Sequence, residues 1–260
     1  MAMESDTKAG SVLVLNKVVD LLELLASGGE QTAAELAEGT GQPRTTVYRL
    51  LGSMLDLGLA ETGSRSGSFR VGVRVVEIAS GLLAQLDERQ AAEEHLRKLH
   101  DDTGETVYLC IRRADRAVCI DRIDGRWVRS MALQLGASLP LHIGATPRVL
   151  LAFAPRQDWD RYIADNELVG VANRRRLKKS ELVARLQETL DHGYAISNGE
   201  TVPGLAGIAA PVFDHAATLR ASIGISGLSE SLLGPNTDAH VMAVTRTAAA
   251  VSRVLGYAPS

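Results

Sequence analysis

The sequence predicts an α+β protein that opens with a winged helix-turn-helix. Three observations carry this. Residues 32–51 pattern as two short helices joined by a Gly-containing turn. Residues 59–71 pattern as two short strands around a Gly/Ser-rich turn. Beyond residue 100, strand-length apolar runs and turn residues alternate with helical stretches, as an antiparallel sheet with flanking helices requires.

Residues 1–10, MAMESDTKAG, are polar and acidic; they are expected to be a disordered tail, not a signal peptide. Val12 to Ala26 is dense in Leu and Val and is expected to be the first helix, stopped by Gly28 and Gly29. Thr32 followed by Glu35 has the capping-box spacing that starts a helix, and Gly41 supplies the turn after it. Pro43 suits the first position of the next helix, where a missing N–H costs nothing. There Val47, Leu50, Leu51, Met54 and Leu55 recur at helical spacing and make a buried face. The opposite face carries Arg44, Thr45, Tyr48 and Arg49, with Thr46 beside them. Arginine donates to guanine edges or phosphate, and hydroxyls suit backbone oxygens, so this face is expected to contact DNA. Any αα-hairpin shows one apolar and one polar face. The wing that follows favours DNA over that blander reading: Leu59 to Glu61, then TGSRSGS with Arg65 at its tip, then Ser68 to Val71.

Composition bounds the partners. The chain has 260 residues and a net charge of −3, and residues 1–73 hold six Lys or Arg against nine Asp or Glu, so no global charge marks a nucleic-acid binder. Placement does: Gln42 to Arg74 contains five arginines and only Asp56 and Glu61 as acids. Cys110 and Cys119 fall on two neighbouring predicted strands; a disulfide is geometrically open, but two reduced buried thiols suit a cytoplasmic protein better. No apolar run reaches a membrane span.

Residues 11–72 are thus the expected DNA-binding domain and 73–90 a linker and dimerisation helix, with Val75, Ala79, Leu82 and Leu86 as its apolar stripe. Residues 91–260 form the second domain. Its expected strands are Glu105 to Arg112, Ala117 to Ile123, Val128 to Leu133, Tyr194 to Ser197, Ala206 to Phe213 and Arg220 to Gly227. Its expected helices are Ala91 to His100, Thr146 to Phe153, Asp158 to Ala164, Ser180 to His192 and Thr237 to Leu255.

From about Ser11 onward the chain resembles the IclR (isocitrate lyase regulator) family of bacterial transcription factors. The stretches that carry the likeness are TGQPRTTVYRLLGSMLDLGLAE, FRVGVRVVEIA, TGETVYLCI, LGASLPLHIGATPRVLLAF, HGYAISNGETVPGLAGIAAPVFD and ASIGISG. The resemblance implies a dimer built through the linker helix and a GAF-like C-terminal domain that binds a small metabolite. It also implies where the effector sits: the amides of Ala145 and Thr146, Ser197 after GYA, Gly207 at a position that is Cys in the family, and Gly224 and Ser226 at two Ser positions. His142 stands with this set, although a core histidine is the blander reading. The chain departs from the family pattern where Ser197 replaces an acid, where Gly207 and Gly224 replace polar side chains, and where Pro147-Arg148 replaces Gly-Lys. Lost side chains are expected to open a roomier, less polar cavity, suited to an organic acid with an aromatic or apolar body rather than a small keto acid.

An enzyme is the rival class. No G-x-S-x-G elbow, H-x-x-x-H pair or P-loop is present, and no cofactor is expected. The run Arg174 to Lys179 reads as a solvated loop rather than a second DNA contact. The partners expected are therefore a palindromic double-stranded DNA operator, a small-molecule effector and a second copy of the chain, with a dimer of dimers left open.

Overall fold

The Gly28–Gly29 pair ends the first helix, α1 (Ala2–Gly28), and lets the chain turn back along it. The structure, a computed structural model, describes residues 2–83, 87–126, 133–172 and 174–258, with side chains from residue 13 onward except 80–83. The tail expected at residues 1–10 is instead helical from Ala2 onward, as the first turns of α1; Ala2, Met3, Glu4, Lys8 and Ala9 are good helix formers, and no proline interrupts them.

The strand β1 (Gln31–Thr32) leads into α2 (Ala33–Thr40) and α3 (Arg44–Asp56). Both bonds of the predicted capping box are present at Thr32 and Glu35, and Gly41 closes α2 at φ 64°, a left-handed conformation that disfavours a side chain. Pro43 is the N-cap of α3, one residue ahead of its expected place, and its carbonyl accepts from Thr46 and Val47. The wing is β2 (Ala60–Thr62) and β3 (Ser68–Val71), and β3 also pairs with β1. Leu21, Leu25, Leu36, Val47, Leu50, Leu51 and Met54 fill the core beneath, as the helical spacing predicts.

The helix α4 (Arg74–Leu83) follows, and α5 (Asp87–Thr103) begins the second unit; the chain divides between Gln85 and Leu86. Of the expected linker stripe, Leu82 and Leu86 lie outside the described side chains; Val75 is half-buried and Ala79 exposed.

The second unit runs β4 (Thr106–Arg113), β5 (Arg116–Ile123), β6 (Ser138–Pro140), α6 (Ala145–Ala152), α7 (Arg156–Asp165), α8 (Lys179–His192), β7 (Ala195–Asn198), β8 (Leu205–Phe213), β9 (Leu219–Leu228), α9 (Ser229–Leu232) and α10 (Thr237–Val254). The strands form one antiparallel sheet in the order β6-β5-β4-β9-β8-β7. The strand expected at Val128 to Leu133 falls almost wholly outside the described residues. Both faces of the sheet are covered, which is why β4 is a nearly continuous apolar run. Val107, Leu109, Ile223 and Ile225 pack under α5 and α10, whereas Tyr108 and Cys110 face the layer of α6, α7 and α8. Cys110 and Cys119 are free, buried register partners, as expected of reduced thiols. The basic loop at 174–179 is exposed, with Arg175 on Glu181 and Arg176 on Glu167.

Candidate DNA-binding and effector sites

On α3 the helical period separates two sets of side chains. Val47, Leu50, Leu51 and Met54 are buried, while Arg44, Thr45, Tyr48 and Arg49 are exposed and Thr46 is intermediate. Tyr48 is 60% exposed, so its ring and hydroxyl are open to a partner. Neither Arg44 nor Arg49 has an ion pair among the described residues, whereas Arg70 grips Glu61 at 3.0 Å. Arg65, expected at the wing tip as a phosphate contact, is exposed there but not free: its guanidinium donates to the Glu30 carbonyl oxygen. The charge count over Gln42 to Arg74 missed Glu30, because pairing of β1 with β3 brings that acid to the wing from outside the window.

The candidate effector site is built on cross-strand register. Ser197, Gly207 and Ser226 pair in one row across β7, β8 and β9, and Ala195, Ala209, Gly224 and Tyr108 form the next. Over these small residues lies α6, every residue of it buried. Its N-cap is Gly144, at φ 87°, and no side chain caps that end. Helix geometry leaves the first amides without intrahelical partners, so Ala145 and Thr146 present N–H groups and a positive helix end. The cavity there holds about 50 Å³ and is lined by Tyr108, Leu133, Leu139, Ala145, Thr146, Ser197, Thr201, Gly207 and Ser226, among others.

Three expectations change. Gly224 does not open the cavity: a Cβ there would stand 2.5 Å from Thr146 Oγ1, so the threonine already fills the vacated space. At Gly207 a Cβ would stand 3.1 Å from Ser197 Oγ, leaving little room there either. His142 does not line this cavity. It is buried, with Nδ1 2.7 Å from the Tyr162 hydroxyl and Nε2 3.3 Å from the Val169 carbonyl, so the core reading holds. Burial lowers its pKa, which keeps the ring neutral, and pushes Tyr162 up to about 12.

Glu200 stands beside the start of α6. Its carboxylate accepts from Gly144 N–H at 2.8 Å and binds Arg148 and Arg185, so it pins the loop that carries Thr201 to the start of α6. Arg148 is buried and also donates to the Ile196 carbonyl at 2.8 Å, joining α6 to β7. Glu200 is thus the residue that orients the cavity's amide wall.

A family model described as "Bacterial transcriptional regulator IclR C-terminal" matches residues 81–253, and one described as "IclR helix-turn-helix domain" matches residues 14–64. The chain belongs to the IclR family. It is 27% identical to the HTH-type transcriptional regulator KipR of Bacillus subtilis, across 93% of this chain and 96% of that one. It is 26% identical to the HTH-type transcriptional repressor AllR of Salmonella typhimurium, across 98% and 94%. An IclR homologue of Microbacterium hydrocarbonoxydans, solved as a complex with 4-hydroxybenzoate, shares its fold with a TM-score of 0.79 at 21% identity, covering 94% and 99%. As an IclR protein the chain is a DNA-binding transcriptional regulator, and its curated relatives are regulators rather than enzymes. No helix among the described residues is long and apolar enough to cross a membrane.

Proposed function

We propose that the chain is a homodimeric repressor that places α3 in the major groove of a palindromic operator and releases it when a small organic acid fills the cavity under α6. The observation that carries this is the unpaired polar face of α3, with Arg44 and Arg49 uncommitted beside an exposed Tyr48. Arg44, Thr45, Thr46, Tyr48 and Arg49 would meet base edges and phosphates, and Arg65 the backbone beside them. Two copies would read half-sites about 34 Å apart or a multiple of it. Repression is supported by the name of AllR and needs only operator occupancy and an effector that prefers the unbound shape.

The acid end of the effector would rest on the amides of Ala145 and Thr146, with Ser197, Thr201 and Ser226 completing its hydrogen bonds. About 50 Å³ is a third of the roughly 150 Å³ cavity known to hold benzene, so the site as formed suits a compact acid of two or three carbons. The complex of the Microbacterium protein favours a second reading, an aromatic acid, which would require the wall to move.

Replacing Arg44 or Arg49 by Ala is expected to weaken operator binding by about 1–3 kcal/mol where the residue reads a base, with specificity relaxed at one position. Unchanged affinity in both variants would place the reading face elsewhere. A thermal-shift panel of glyoxylate, pyruvate, benzoate and 4-hydroxybenzoate decides the effector: stabilisation by the compact acids alone supports the first reading, and by the aromatics alone the second.

A further inference from the structure

The wing turn is held by a carboxylate from outside it. Glu30 lies in the loop before β1. Ser64 N–H donates to its Oε1 at 2.9 Å, and the Ser64 hydroxyl, Arg65 N–H and Ser68 hydroxyl lie 3.0, 3.4 and 3.2 Å from its Oε2. The Arg65 guanidinium donates to the Glu30 backbone carbonyl. The space is fitted to this contact: a Cβ on Gly63 would stand 2.7 Å from Glu30 Oε2. Donation from the Ser64 amide, above all, holds the Glu30 carboxyl down at about 2. Glu35, close enough to feel the Arg65 charge, adds a second acid beside the wing.

We propose that Glu30 is a positioning residue for DNA binding, holding the Ser64–Ser68 turn in the shape that presents Arg65 to the phosphate backbone. This rests on the reading above that the wing contacts DNA. Two effects oppose each other. An acid beside a polyanion repels it, so its removal alone would strengthen binding by up to about fivefold. An acid that organises the turn acts the other way, because without it the wing must be ordered at the moment of binding. One exposed charge is screened within about 10 Å at ordinary salt, whereas four donors converge on this single carboxylate, so the organising effect wins.

The test uses the full chain and a mixed-sequence duplex of about 30 bp, followed by fluorescence anisotropy between about 50 mM and 200 mM salt. Glu30→Gln is expected to weaken binding about three- to tenfold, lower the salt slope by about one, and add little in an Arg65→Ala background. Ser64→Ala with Ser68→Ala removes two donors and no charge, and must weaken binding too; thermal unfolding of each free variant checks that the fold survives. If Arg65→Ala weakens binding while Glu30→Gln leaves it equal or tighter, the positioning role falls alone. Unchanged affinity in the double serine variant also overturns it. If Arg65→Ala itself has no effect, the wing reading falls and the role of Glu30 with it.

Discussion

Single atoms decide what the candidate effector cavity admits. Thr146 Oγ1 sits where a side chain on Gly224 would stand, with Ile208 O and Ala209 Cβ also within 3.1 Å of that point. Gly224→Ala is therefore expected to cost about 1–3 kcal/mol by overpacking and to push Thr146 toward the cavity, weakening the effector's thermal shift; an unchanged melting temperature would show that the site relaxes freely. His142 supplies the pH dependence. Its folded pKa lies below the ordinary 6.5 because burial disfavours the imidazolium. Below that value the unfolded chain binds a proton that the folded chain refuses, so this stabilisation is complete above about pH 6.5 and is lost as pH falls through the folded pKa. Thermal unfolding at about pH 7.5 and 5.5 should show a drop that is smaller in His142→Gln. Tyr162→Phe should cost about 1–3 kcal/mol by leaving the ring nitrogen without its hydroxyl partner.

At the scale of elements, the helix-turn-helix depends on its ends. Two reciprocal bonds at Thr32 and Glu35 fix where α2 begins, and the left-handed Gly41 fixes where it stops. Those two points set the angle at which α3 leaves the core. Thr32→Ala is expected to destabilise the N-terminal unit by about 1 kcal/mol, measured by urea unfolding, and to reduce DNA affinity through a loosened α2. The α6 helix shows the opposite design: no side chain caps it, so its first amides stay available, while Glu200 takes the Gly144 amide just outside. A capped α6 would have its anion site filled by its own chain.

At the scale of the molecule, α1 and α4 leave large apolar side chains in solvent: Leu13, Leu15 and Val19 on the first, Val76 and Ile78 on the second. In the proposed homodimer a second copy would cover them, and paired half-sites would need its second reading helix. Val76→Glu with Ile78→Glu changes residues that are exposed in the single chain, so the fold should tolerate it. Sedimentation equilibrium should then report a monomer, and operator affinity should fall by at least tenfold as the two-site advantage is lost. A variant that stays dimeric would move the interface elsewhere.

Much of this was legible in the residues themselves. Local chemistry set the caps, the turn and the buried face of α3, because hydrogen bonds between residues three apart and a 3.6-residue period need no distant partner. The order of the main helices, the wing strands and the sheet strands β4, β5, β7, β8 and β9 followed for the same reason. Three short elements, β1, β6 and α9, were missed, because so few positions carry no period; the equally short β2 and β3 were marked by the Gly/Ser turn between them. The charge of the wing and the shape of the cavity were decided only by folding. Glu30 is 34 residues from Ser64, and Thr146 is far along the chain from Gly224; each pair meets through sheet pairing or helix packing. Residue type at Gly224 announced a space, but only the packing of α6 on β9 determined that a threonine already occupied it.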